Sequence, residues 1–179
     1  MAPSKNVVIT GSSSGIGLGI ARAFAQAGHN VVLNGLEANG GEIAAELGRE
    51  AGVKTVFSPA NMLRPNEIVE MIREAERVLG SVDVLVNNAG IQHVAPIDEF
   101  PAEKWDSMLG INLTSAFHTT RAAWPGMKAR GWGRIINIAS VHGIRASEFK
   151  SAYVAAKHGI VGLTKVLALE GAPLGITAN

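Results

Sequence analysis

Cysteine is absent from this sequence of 179 residues, and its absence excludes several kinds of chemistry. Disulfide bonds, thiolate nucleophiles and cysteine-ligated metal centres all need the missing sulfur atom. Aromatic residues are scarce, at 5% of the chain, and tyrosine occurs once, as Tyr153. The histidines follow no spacing typical of metal ligands, so we expect no metal site.

Long apolar runs and an excess of charge are also missing. No segment approaches the roughly 18 consecutive apolar residues of a membrane span. The N-terminus lacks the apolar core and cleavage site of a signal peptide, so we expect a cytoplasmic protein without membrane contact. Lysine and arginine number 16 against 15 acidic residues, and this balance argues against a nucleic-acid partner.

Apolar residues are plentiful, at 47% of the chain, and this content excludes a disordered protein. Short β-branched runs alternate with longer amphipathic segments. Strands are predicted over 6–10, 30–34, 54–58, 82–86 and 134–139, and helices over 15–27, 38–50, 65–79, 101–130 and 151–170. Pro125 is expected to kink the fourth helix. The alternation predicts an α/β fold with helices on both faces of a parallel sheet, as one domain over residues 1–179.

A glycine-rich turn separates the first predicted strand from the first helix. It reads Thr10-Gly-Ser-Ser-Ser-Gly-Ile-Gly17. Glycines let backbone N–H groups approach a pyrophosphate, and the helix N-terminus adds partial positive charge. The spacing differs from that of the usual Rossmann loop, and such a turn can be purely structural. This loop alone therefore leaves both interpretations open.

The ends of the second and fourth strands carry further polar residues. The second strand runs into Asn34-Gly35-Leu36-Glu37. Because neither Ser14 nor Leu36 offers positive charge to a 2′-phosphate, the sequence favours NAD over NADP. Glu37 could serve as the carboxylate for a ribose 2′-hydroxyl, but we favour its interpretation as a solvated charge at a helix start. The fourth strand closes with Asn87-Asn88-Ala89-Gly90, where the asparagines either tie neighbouring strands together or form a simple Asx turn.

A serine, a tyrosine and a lysine follow near the end of the chain. Ser140 comes at the carboxyl end of the fifth strand, where open parallel sheets bind ligands. Tyr153 and Lys157 are four residues apart on the next helix and share one face. A nearby ammonium stabilises a phenolate, so this pair could exchange a proton near neutral pH. Ser140 would then hold the reacting oxygen.

The motifs occur together and in order, with Asn112 between them, and their combination resembles the short-chain dehydrogenase/reductase family over the whole chain. The resemblance implies a Rossmann-like doubly wound sheet and hydride transfer to or from a nicotinamide cofactor. It implies Tyr153 as the general acid and base, with Lys157 activating it and binding the nicotinamide ribose. Ser140 would orient the substrate, and Asn112 would anchor a proton-relay water.

The resemblance also implies a set of contacts to NAD. They are Gly11, Ser13, Ser14, Gly15, Ile16, Gly17, Asn61, Met62, Asn88, Ala89, Gly90, Tyr153 and Lys157. The family usually places an aspartate against the adenine where this chain has Asn61, which implies weaker binding there. Family members continue after the last predicted helix with a sixth strand, a lid and a seventh strand. We expect these to be missing, although Ile176 looks like the beginning of a strand.

Three polar residues beside the motifs suggest the substrate. Gln92, His142 and Lys150 could converge on a small anion such as a carboxylate. Residues 87–96 and 133–158 resemble the family members that oxidise D-3-hydroxybutyrate to acetoacetate with NAD. That resemblance implies Gln92, His142 and Lys150 as carboxylate-binding residues, together with Ser140 and Tyr153 at the reacting end.

Two other functions stay open at this point. One is a 3-oxoacyl thioester reductase of the same family that uses NADP, and the other is an inactive truncated fragment that binds nucleotide. The segments 101–130 and 151–170 carry more apolar residues than one sheet face should need. The resemblance places these helices in a dimer interface, usually within a tetramer, so we expect a homo-oligomer.

Overall fold

Short β-branched runs form the strands of the computed structural model, which describes residues 3–179. Within that range the strands are β1 (Asn6–Ile9), β2 (Asn30–Asn34), β3 (Thr55–Ser58), β4 (Val84–Asn87), β5 (Gly133–Asn137) and β6 (Ile176–Ala178). The helices are α1 (Gly15–Gln26), α2 (Gly40–Ala51), α3 (Pro65–Leu79), α4 (Ala102–Leu109), α5 (Ser115–Arg130) and α6 (Ser151–Gly171). Every strand pair is parallel, so the predicted α/β fold is confirmed.

The order of strands reverses at β1. Across the sheet the order is β3-β2-β1-β4-β5-β6. Val7 of β1 pairs with Val31 on one side and with Val84 on the other. In doubly wound sheets, ligands bind in the crevice at such a reversal, outside the carboxyl ends of the strands. The fold therefore places its main crevice between the ends of β1 and β4.

Two apolar cores lie on opposite faces of the sheet, because successive strand side chains point to opposite sides. On one face Val7 and Ile9 pack with residues of α1 and α2 such as Ala21 and Leu47. On the other face Val8 packs among residues of α3, α5 and α6, which include Ile72, Met127 and Leu167. The near-continuous apolar strands are thus buried on both sides.

The long helical segment before β5 differs from the prediction. Its irregular turn lies at Gly110–Thr114, where a π-helical turn joins α4 to α5. Pro125 lies inside α5, and the helix continues through it to Arg130. The buried Asn112 lies in the π turn, and its side chain is bonded to the backbone of Ile91. The kink at Pro125 therefore stays a prediction, and the irregular turn of the segment lies earlier, at the buried Asn112.

The last residues form a strand, as the pattern from Ile176 predicts. β6 pairs with β5 through Gly133 opposite Ile176 and Arg134 opposite Thr177. The expectation that the sheet lacks its sixth strand is therefore wrong. The parallel partner is available because the edge of β5 is otherwise unpaired, and Ile176 and Ala178 are buried there.

One helix is long and apolar enough, by composition alone, to cross a membrane. The segment Ser151–Leu174, which contains α6, includes an 18-residue window with a mean hydropathy of 1.2. A core helix of a globular domain passes the same test, and Leu163 and Leu167 of α6 belong to the apolar cluster that contains Ile135 and Ile176 of the sheet. Packing against the sheet thus accounts for part of the apolar character of α6. The absence of membrane contact stays a prediction.

Candidate functional site

A cavity of about 440 Å³ opens at the carboxyl ends of β1, β2 and β4. Ten of the residues predicted to contact a nucleotide line it: Gly11, Ser13, Ser14, Ile16, Gly17, Asn61, Met62, Asn88, Ala89 and Gly90. Gly15, Tyr153 and Lys157 are not among the lining residues. Residues that the sequence reasoning did not assign to the nucleotide also line it: Asn34, Gly35, Leu36, Glu37, Ala60, Ile91 and Ile111.

The glycine loop is held against the end of β4 by hydrogen bonds from both sides. The hydroxyl oxygen of Thr10 accepts from the backbone N–H groups of Asn88 and Ala89, each at 3.0 Å. The side-chain amide of Asn88 donates to the carbonyl oxygens of Thr10 at 3.0 Å and Gly11 at 2.8 Å. Of the two interpretations of the asparagines, the structure supports a tie between neighbouring strands at Asn88.

The opposite side of the loop is fixed by the end of β2. The side-chain oxygen of Asn34 accepts from the Gly11 N–H at 3.0 Å, and its amide donates to the carbonyl oxygens of Ser58 and Ala60. Asn34 is 1% exposed, so its polar atoms are satisfied within the protein. A polar residue at the end of an otherwise apolar strand was the signal for this role, and sequence reasoning overlooked it.

The loop fits a phosphate group in two respects. A Cβ added to Gly17 would overlap the carbonyl oxygen of Gly11 and crowd the side-chain amide of Asn88, so only glycine allows this close approach. In the described part of the chain, Ser14 caps α1 without a side-chain hydrogen bond, and the first turn holds no acidic residue. The first backbone N–H groups of α1 are therefore free to bind an anion.

Glu37 lines the cavity and is exposed, so its interpretation as a solvated charge holds, but its place at a helix start does not. Helix α2 begins at Gly40 after Asn39, so Glu37 belongs to the loop that follows β2. Its carboxylate accepts a hydrogen bond from the hydroxyl of Ser13 in the glycine loop. This hydrogen bond is the main cause that lowers the pKa of the Glu37 carboxyl. Any side chain at Gly35 would overlap both partners.

A second cluster of side chains lies beyond β5. The hydroxyl oxygen of Ser140 accepts from the backbone N–H of His142 at 3.2 Å. The imidazole Nε2 of His142 lies 3.3 Å from the ammonium nitrogen of Lys150. The rings of His142 and Tyr153 meet edge to face, with centroids 5.9 Å apart. The structure thus brings together four of the residues predicted to bind the substrate.

Lys157 lies beneath Tyr153 and is 5% exposed. Its ammonium donates to the carbonyl oxygen of Ile138 at 2.6 Å and lies 5.6 Å from the centre of the Tyr153 ring. Burial lowers the pKa of the Lys157 ammonium, because the charged form loses water. A lysine placed in this way can give up charge more readily than one on the surface.

Two predicted site residues, Asn112 and Gln92, are not part of the cluster around His142 and Tyr153. The side chain of Asn112 is engaged by Ile91, which it contacts at 2.8 Å through both its oxygen and its amide. Its predicted role with a water stays a prediction. Gln92 is exposed, and its side chain makes no hydrogen bond within residues 3–179. Its loop is tied to the cluster instead by the Ala95 N–H, which donates to the Phe149 carbonyl at 3.0 Å.

The cavity beside the glycine loop and the tyrosine–lysine pair are together typical of an oxidoreductase. Comparison with known proteins gives the family. Residues 5–179 match the family model described as short chain dehydrogenase. The chain therefore belongs to the short-chain dehydrogenase family, as the motifs predict.

Within the family the chain is similar to particular enzymes. It is 57% identical to D-beta-hydroxybutyrate dehydrogenase of Cupriavidus necator, over 100% of this chain and 69% of that protein. The protein of the same name from Rhizobium meliloti is 55% identical over 98% and 69%. Acetoacetyl-CoA reductase of Rhizobium meliloti is 40% identical over 98% and 71%.

A solved structure supports the fold. A protein described as a short-chain alcohol dehydrogenase from Sinorhizobium meliloti 1021 superposes with a TM-score of 0.93 and 32% sequence identity. The match covers 99% of this chain and 71% of the other. The Rossmann-like parallel sheet is thus shared with an experimentally determined member of the family.

Proposed function

We propose that this protein oxidises D-3-hydroxybutyrate to acetoacetate with NAD. The observation that carries the proposal is the cluster of His142, Lys150 and Tyr153 beside Ser140, because it puts a cation next to a hydroxyl-handling group. A hydroxy acid needs a cation to bind its carboxylate and a group that takes the proton from its hydroxyl. The identities of 57% and 55% to D-beta-hydroxybutyrate dehydrogenases add support, against 40% for the acetoacetyl-CoA reductase.

The residues of the cluster divide the chemistry between them. When bound, NAD supplies the acceptor for the hydride that leaves the alcohol carbon. Ser140 donates a hydrogen bond to the substrate oxygen, and the Tyr153 oxygen takes the proton from that hydroxyl group as the carbonyl forms. Lys157 stabilises the phenolate form of Tyr153 by its charge. The oxidation then releases one proton through Tyr153 and leaves a ketone.

Lys150 and His142 bind the carboxylate of the substrate. The ammonium of Lys150 is held within 3.3 Å of the imidazole, so the two groups share one location. The Nδ1 atom of His142 is buried and finds no partner within residues 3–179. Hydrogen bonds from charged donors to a carboxylate are about twice as strong as neutral ones. A substrate with a negative end is therefore favoured over a plain alcohol.

The lining of the cavity favours NAD over NADP. The Glu37 carboxylate accepts a hydrogen bond from the Ser13 hydroxyl just after the end of β2. Rossmann folds bind the adenosine ribose at this place. A carboxylate there can accept from a ribose 2′-hydroxyl and repels a 2′-phosphate. Leu36 is 69% exposed and adds no positive charge.

Fluorescence titration of both cofactors tests this preference. We expect tighter binding of NAD than of NADP, and a Glu37→Gln variant should narrow the difference because it removes the repulsion. Leu36→Arg should shift the preference toward NADP. Tighter binding of NADP by the unaltered protein would contradict the proposal.

Turnover of D-3-hydroxybutyrate with NAD, followed by NADH absorbance, tests the reaction. Acetoacetyl-CoA with NADPH is the competing substrate pair. Turnover of the thioester alone would assign the reductase function instead. Nucleotide binding without turnover of either substrate would leave a nucleotide-binding role.

We also propose that α5 and α6 form a homodimer interface. A groove of about 240 Å³ between them is lined by Phe117, Trp124, Leu163 and Leu167, and it is mainly apolar. Leu169 is 79% exposed on the same helix as Leu163. Exposed apolar patches of this kind mark interaction surfaces. Light scattering that shows only monomer at working concentration would contradict this assembly.

A further inference from the structure

The backbone of Phe149 takes an unusual conformation. Its φ is +63°, and within residues 3–179 it is the only residue other than glycine with a positive φ. A side chain with a Cβ is crowded in this left-handed region, and glycine, asparagine and aspartate tolerate it best. A phenylalanine is therefore held there by its surroundings and not by its own preference.

Burial of the aromatic ring does not explain the conformation. The side chain of Phe149 is 52% exposed, so half of its surface still meets water. The backbone offers a better explanation, because the Phe149 carbonyl accepts the N–H of Ala95 at 3.0 Å. This hydrogen bond joins the loop after β4 to the residues that lead into α6.

The next residue connects this bond to the substrate cluster. Lys150 is the N-cap of α6, and its ammonium lies 3.3 Å from His142. Gln92 lies three residues before Ala95 in the loop on the other side of the hydrogen bond. The hydrogen bond from Ala95 to Phe149 therefore connects the segment that carries Gln92 to the segment that carries Lys150.

We propose that the left-handed backbone of Phe149 is a positioning device for the anion-binding side of the substrate site. It directs the Phe149 carbonyl to Ala95 and starts α6 so that Lys150 reaches His142. Phe149 acts through its backbone and is a positioning residue. The identity of the anion rests on the function proposed above, whereas the tie itself does not.

A series of substitutions at this position separates the backbone from the ring. Phe149→Asn removes the ring and suits positive φ, Phe149→Ala removes the ring alone, and Phe149→Val adds a β-branch that opposes positive φ. We expect Val to raise KM for D-3-hydroxybutyrate roughly tenfold with kcat and NAD affinity within about twofold. Ala and Asn should stay within about twofold of the unaltered protein in all three. Glu148→Val, one residue earlier and also exposed, is the matched control and should change none of them.

Hydrogen exchange of the Ala95 amide tests the hydrogen bond between Ala95 and Phe149, and this measurement does not require enzyme activity. Exchange should be at least roughly tenfold faster in the Val variant and slower in Asn than in Ala, because asparagine favours the left-handed turn. If the Val variant does not fold, the order of Asn and Ala still decides. Equal losses in Ala, Asn and Val would show that the ring matters and overturn the proposal, as would unchanged exchange in a folded Val variant. Absent turnover with the expected exchange order would remove the proposed reaction and keep the positioning role.

Discussion

The two halves of the site are built differently. The nucleotide half, at the ends of β1, β2 and β4, is held by buried or half-buried polar side chains that form hydrogen bonds with the backbone. Thr10, Asn34 and Asn88 make such bonds at 2.8–3.1 Å. The substrate half, beyond β5, also has a backbone contact, because Lys157 donates to the Ile138 carbonyl at 2.6 Å. Its predicted anion-binding residues, however, meet through their side chains, with His142 lying 3.3 Å from Lys150.

This difference separates a general task from a specific one. A cavity shaped by backbone groups suits a ligand that every member of a family shares, because the backbone geometry follows from the fold. His142 and Lys150 lie outside the sheet, between β5 and α6, so their side chains can be exchanged without disturbing the strands. The strained turn at Phe149 also falls in the substrate half. We infer that changes to the two halves should have separable effects on nucleotide binding and on turnover.

Removal of the phenol hydroxyl gives the largest separation between the halves. A Tyr153→Phe variant keeps the aromatic ring and loses the group that carries the proton, so its kcat should fall by about 10²–10⁴-fold. Affinity for NAD should stay within about twofold, because the lining of the nucleotide cavity does not include Tyr153. Stopped-flow kinetics and fluorescence titration measure the two quantities. Near-normal turnover would remove Tyr153 from the mechanism.

The converse experiment alters the nucleotide half. In a Gly17→Ala variant the new methyl group overlaps the Gly11 carbonyl oxygen, so the loop must shift. A displacement of about 1 Å near a reacting group can cost about 10²-fold in rate, and we expect a comparable loss of NAD affinity. Gly19→Ala is the matched control, since a Cβ there meets nothing within 4 Å. Equal affinities of the two variants would show that the close approach at Gly17 has no role in binding.

In both halves the sequence predicts the residues that carry a local signal and misses those that contacts distant in sequence put in place. Strand periodicity and the glycine loop are local signals, and they locate both the parallel sheet and most of the cavity lining. The place of Glu37 depends on where α2 begins, and that start, at Gly40, lies after the predicted one at residue 38. The left-handed turn at Phe149 has no local signal, because glycine or asparagine would be expected there. It depends on a hydrogen bond to Ala95, far away in sequence.

A smaller effect within the substrate half tests whether the ammonium of Lys150 binds the substrate carboxylate. Lys150→Ala should reduce kcat/KM for D-3-hydroxybutyrate by roughly tenfold to a hundredfold, since a hydrogen bond to a charged group contributes about 1.5–3 kcal/mol. A neutral secondary alcohol should lose much less. Lys165→Ala, an exposed lysine on the same helix, controls for general effects of lost charge. Equal losses on the charged and neutral substrates would make Lys150 structural.

The smallest effect concerns stability, and it comes from the lysine beneath the tyrosine. Burial lowers the pKa of Lys157 in the folded protein below that of the unfolded chain. Between these two values the unfolded chain binds the extra proton, so the free energy of unfolding should rise with pH. It should approach a constant contribution above the unfolded pKa.

The slope that one group can contribute is at most about 1.4 kcal/mol per pH unit. Lys157→Met keeps a long apolar stem and removes the titrating group, so the variant should lose this part of the slope. Urea unfolding of both proteins at several values between pH 7 and about 10.5 measures the difference. Lys165→Met, on the exposed side of α6, should keep the slope of the unaltered protein. A difference between Lys157→Met and the unaltered protein that does not change with pH would show that burial leaves the charge of Lys157 undisturbed.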